Sequence, residues 1–223
     1  MEKTKVPIKS IKVNMPETME YYVNLHSDRE KTKFIKRTER VIRSSLEYKD
    51  YINYLKENVG LNHCTFFKNI STDRSKRRGK ISIEMHHEPF TLFDYVQVIL
   101  NKYIDEGKEV RDLMIADEVM ELHYANKVGL VPLSKTAHQI VHNSSKLLVP
   151  LNMVYGNYNE FVSEYYDYIP TDVLEKLQRK IDMTKNLTEK DFENIKKEFT
   201  YLDMDKVNDL EKIPVREEKE IFG

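Results

Sequence analysis

Beyond residue 26 the chain alternates between stretches of helical period and short stretches of period two. Residues 1–26 have no clear period, although K-V-P-I-K-S-I-K-V-N alternates apolar and polar positions and suits a short strand or an arm. Ser27-Asp28-Arg29-Glu30 has the form of a capping box. Phe34, Ile35, Thr38, Val41 and Ile42 then mark the apolar face of a helix reaching about Arg43. Ser44 and Glu47 predict a second cap, with a helix to Asn58 and a stop at Gly60. The run C-T-F-F-K-N-I is β-like, the polar S-T-D-R-S-K-R-R-G-K turns the chain, and I-S-I-E-M alternates. Together they predict a hairpin, ended by Pro89. Leu92, Phe93, Val96, Ile99, Leu100 and Tyr103 predict a helix to about Glu106. After Gly107 another is expected from Glu109 to Ala125, with Leu113, Ala116, Met120 and His123 on one face. Leu130 to Leu133 reads as extended, and Ser134 as the N-cap of a helix through His142. Three helical segments follow, over about 158–168, from Thr171 and from Thr188.

This order predicts an α+β fold, with a small strand–strand–helix core embedded in a mainly helical chain. Residues 1–60 form an N-terminal arm and basic helices. Residues 61–150 form the core with a helical insertion, and residues 151–223 a C-terminal helical region with an acidic tail. The apolar stripes are read as core.

Composition adds three constraints. No apolar run approaches the ~18 residues of a membrane span, and the start M-E-K-T-K-V-P lacks the apolar region of a signal peptide. A cytoplasmic location is expected. The single cysteine, Cys64, excludes an internal disulfide and a four-cysteine zinc site. The net charge of −1 conceals an asymmetry: residues 1–150 carry 25 Lys and Arg against 20 Asp and Glu, and residues 151–223 carry 11 against 17. Nucleic acid would favour the first part. Lys31, Lys33, Lys36, Arg37, Arg40 and Arg43 make the first helix basic. Arg74, Lys76, Arg77, Arg78 and Lys80 gather at the hairpin tip, where they are candidate phosphate-binding residues. The final E-K-I-P-V-R-E-E-K-E-I-F-G reads as a loose or partner-binding tail. Richness in Lys, Asn, Ile and Tyr fits an AT-rich source such as a phage.

Four of the seven histidines fall in two short clusters. His138 and His142, four apart on an expected helix, face the same way and suit one metal ion. His86 and His87 are adjacent on an expected strand, so they serve one site only where the strand ends and bends. Pro89 marks such an end.

The stretch E-M-H-H followed by G-L-V-P-L-S-K-T-A-H-Q-I-V-H resembles the HNH, or ββα-metal, nuclease superfamily, in its colicin-type variant. The likeness covers about Cys64 to His142. It implies a DNA endonuclease in which His86, His138 and His142 bind one divalent metal ion (Mg, Mn, Ni or Zn). It further implies His87 as the general base that deprotonates the attacking water, and Glu84 as the carboxylate that orients a ligand histidine. The metal would stabilise the leaving 3′ oxygen, giving 5′-phosphate and 3′-hydroxyl ends. Two-strand cutting by a single site would favour a homodimer. The sequence departs from the family pattern at Gly129, where an asparagine is expected, and in the long connection between the two clusters. Two other readings remain: an HNH-derived DNA-binding or interaction module whose catalysis has decayed, and a structural histidine-ligated zinc site.

Overall fold

A computed structural model of the chain describes residues 27–67, 70–72, 82–143, 148–187 and 190–191. The expected N-terminal arm, the basic loop with Arg74, Lys76, Arg77, Arg78 and Lys80, most of the helix from Thr188 and the C-terminal tail lie outside the described residues. The protein is α+β, mostly helical, with a two-stranded antiparallel sheet. Among the described residues no helix is long and apolar enough to cross a membrane.

Helix α1 spans Asp28–Ser44, and Ser27 caps it by accepting from the Glu30 amide. Phe34, Ile35, Thr38 and Ile42 are its buried face, in agreement with the periodicity. Helix α2 (Leu46–Glu57) begins one residue later than expected: Ser45, not Ser44, accepts from the Tyr48 amide. The β-like run after His63 forms no strand among the described residues, where His63 and Ser71 make only an isolated bridge.

Strand β1 is Ile83–His87. Helix α3 (Leu92–Asp105) opens with a full capping box of Thr91 and Asp94, and helix α4 is Asp112–Tyr124. Leu113 is 63% exposed, so the expected stripe on α4 is rotated. Ile115, Ala116, Val119, Met120, Leu122 and His123 form its buried side. Asn126 closes α4 at φ 59°. Its amide donates to His123 O and the Lys127 amide to Leu122 O, the paired bonds of a Schellman end. Strand β2 (Leu130–Ser134) and helix α5 (Lys135–Asn143) follow without a break. Helices α6 (Tyr158–Tyr165) and α7 (Thr171–Thr184) complete the order, with a short 3-10 turn at Tyr166–Tyr168 between them. Pro170, rather than Thr171, is the N-cap residue of α7.

Strands β1 and β2 pair from Ile83↔Ser134 to His87↔Leu130. Paired residues share a face and neighbours alternate, so each face has its own set. Glu84 and His86 lie with Leu133 and Val131, on the side that packs with Cys64, Phe66, Ala137 and Val149. Met85 and His87 lie with Pro132 and Leu130, facing the main helical core of α1 to α4. The connection from β1 to β2 is therefore a pair of core helices laid against one side of a two-stranded ribbon.

Candidate metal centre

The site stands where β1 meets α5. Strand alternation points His86 away from the helical core. The four-residue spacing on α5 stacks His138 and His142 one turn apart. The ring of His86 lies 5.1 Å from that of His138 and 4.9 Å from that of His142. One ligand atom from each of the three falls within 4.8 Å of the others. The Nε2 atoms of His138 and His142 are 3.1 Å apart. Two nitrogens each ~2.1 Å from one tetrahedral ion stand ~3.4 Å apart, so this pair is already at chelating separation. His86 is buried, His138 half-buried and His142 exposed, which leaves one side of the cluster open to solvent.

Carboxylates support two of the rings. Glu84 Oε2 lies 2.6 Å from His138 Nδ1. A carboxylate there only accepts, so Nδ1 holds the proton and Nε2 has the lone pair a metal needs. Glu88 Oε2 lies 3.2 Å from His86 Nε2. Glu88 is buried, and Lys180 of α7 pairs with its other oxygen and donates to the Pro89 carbonyl at 3.0 Å. Burial raises the Glu88 pKa, but the His86 bond and the Lys180 charge outweigh it, leaving the carboxyl below its ordinary range. Burial lowers the pKa of His138 against the opposing pull of Glu84, and burial followed by the neighbouring His138 lowers that of His142. Both effects favour the neutral rings that ligate metals.

His87 is elsewhere. The strand runs through it without the expected bend, so it points to the opposite face from His86. It is 5% exposed, its ring stacks on Tyr48 at 6.4 Å, and its Nε2 lies 3.2 Å from Nε2 of His123. Burial, then the neighbouring His123 and Arg43, hold its pKa well below the usual histidine value. The structure thus brings together Glu84, His86, His138 and His142, and sets His87 in the core beside them.

Gly129 has a steric cause. A Cβ there would lie 1.9 Å from the Glu88 carbonyl oxygen. The Gly129 amide donates to Tyr95 Oη at 3.0 Å and its carbonyl accepts from the Glu88 amide at 3.0 Å. An asparagine cannot occupy this place in the present backbone.

Sequence reasoning missed Glu88, Lys180 and the contact of His123 with His87. Glu88 was visible as an acid two residues from His86. Lys180 carries no local signal, being brought in by tertiary packing from 91 residues beyond Pro89.

No curated protein and no solved structure matches the chain. The sequence profile of the family described as Bacteriophage G278-like virion protein matches residues 2–213. That match takes in every element described above, and the chain belongs to this family of phage virion proteins.

Proposed function

We propose that this virion-family protein is a metal-dependent DNA endonuclease whose centre is the His86–His138–His142 cluster. The observation that carries the reading is the convergence of three imidazoles from a strand and the helix after its partner strand, open on one side. A site that only staples a fold is normally four-coordinate and closed. Glu84 fixes the metal-facing nitrogen of His138. A bound divalent ion would supply electrophilic stabilisation of a phosphodiester oxygen. The surrounding charge suits a phosphate. The positive charge of half-exposed Arg43 reaches His87, His123, His138 and His142. Lys56 lies near enough to Glu84 to feel its charge. In this reading His87, one residue along β1 from His86, is the proton acceptor for water.

The burial of His87 favours a second reading, in which the cluster binds metal but the chain does not cut. One experiment separates the two. Supercoiled plasmid is incubated with the wild type, His87→Ala and His138→Ala, each with Mg, Mn, Ni, Zn or EDTA. The endonuclease reading expects metal-dependent nicking or linearisation, lost in both variants, with metal binding kept by His87→Ala. Metal binding without cleavage under any condition would establish the second reading instead.

A further inference from the structure

His123 is a buried histidine outside the metal centre. It lies on the core side of α4, 1% exposed, edge-on to both Tyr48 and Tyr51. Its Nδ1 is 2.7 Å from the Val119 carbonyl oxygen. A carbonyl can only accept, so Nδ1 carries a proton. Burial, against the opposing Val119 bond, lowers the His123 pKa to about 4. Near neutrality the ring therefore holds that one proton, and its Nε2 is a lone pair. This lone pair faces His87 Nε2 at 3.2 Å. The hydrogen between the two rings must then belong to His87.

We infer that His123 is the positioning residue of His87: it accepts a hydrogen bond from His87 Nε2–H, fixes that tautomer and leaves Nδ1 as the ring's proton-accepting atom. The chain of contacts is directional from end to end. The Val119 carbonyl sets His123, and His123 sets His87. The Tyr48 ring, 10° from the plane of His87, limits rotation of the imidazole. A histidine can act as a base only at the nitrogen without a proton, so the contact decides which edge of His87 can take one. The tautomer stands on these distances and on the neutral state of the buried His123 ring. Its catalytic use rests on the endonuclease reading.

The test is nitrogen-15 NMR of the full chain at neutral pH, with the His87 resonances assigned by their loss in His87→Gln. The expected wild-type pattern is a protonated Nε2 and an unprotonated Nδ1. In His123→Phe that pattern should give way to mixed tautomers. In His123→Gln, whose side-chain carbonyl can accept the same hydrogen, it should return. In plasmid cleavage His123→Phe should lose about 100-fold in kcat, with KM and metal affinity unchanged, and His123→Gln should recover most of it. A wild-type His87 protonated at Nδ1, or a His87 pattern indifferent to His123→Phe, would overturn the assignment. Should His123→Phe fail to fold, the wild-type tautomer decides by itself. A wild type that never cuts would remove the catalytic use of Nδ1, while the nitrogen resonances still decide the tautomer.

Discussion

The two faces of one five-residue strand hold histidines in opposite conditions. On one face, His86 meets His138 and His142 at an open edge, with carboxylates behind two of the three rings. On the other, His87 is enclosed by Tyr48, Tyr95 and His123 and bonded to a second imidazole. His138 and His142 on the first face and His87 and His123 on the second are all held toward the neutral form, but for different ends. The first has lone pairs gathered toward a common point, as an ion requires. The second has its proton placed by a relay, as a base or a packed core group requires. A single-residue step along β1 separates the two, because alternation sends neighbours to opposite sides.

The largest effect that would test this division is on metal affinity. Zinc binding of roughly 10–16 kcal/mol, shared among its ligands, puts each at about 4 kcal/mol, or on the order of a thousandfold in affinity. His138→Ala should lose that much by titration calorimetry, and His87→Ala should lose none. A comparable loss in His87→Ala would merge the two faces into one site.

An asparagine at Gly129 should be nearly as costly. Gly129→Asn forces atoms into the Glu88 carbonyl, and about 3 kcal/mol of lost stability is expected in urea unfolding. Unchanged stability would mean that this backbone yields readily.

Acid should unsettle the enclosed face. The folded pKa of His123 is depressed to about 4, so the unfolded chain takes up a proton at higher pH than the native one does. Stability is complete above the unfolded value near 6.5 and falls as pH drops toward 4, by about 3 kcal/mol. His123→Gln, which cannot titrate, should flatten that part of the pH–stability curve. An unaltered curve would place the acid sensitivity elsewhere.

The smallest effect concerns the support behind the open face. Glu84→Ala should weaken metal binding about 10-fold to 100-fold through the freed His138 ring. It should leave the His87 resonances in place.

Much of this arrangement was legible in sequence because it is local. The capping box at Ser27 marked the start of α1 through a bond to the amide three residues away, and the apolar stripe from Leu92 to Tyr103 marked α3. The four-residue spacing of His138 and His142 set their common face. The alternation rule that separates His86 from His87 was equally legible, but Pro89 suggested a bend at His87 that the strand does not make. The cap at Ser45 was missed because two consecutive serines offer the same side chain, and only the backbone decides between them. Leu113 was assigned to the core of α4 although 63% exposed, because its spacing fits either of two adjacent stripes. His123 was placed on the core stripe of its helix, yet its bond to His87 spans 36 positions and has no periodic signature. The basic residues from Arg74 to Lys80 stand outside the described part of the chain.

The ion pair between Glu88 and Lys180 bears on how the protein can be divided. A fragment ending near residue 150 would retain all three imidazoles and both strands, and would look from its motif like a complete metal-binding unit. It would also leave the buried Glu88 carboxylate against His86 with its cation removed, a destabilising change. A piece of this chain that keeps the cluster with Glu88 paired therefore extends through Lys180 of α7, well past the last histidine.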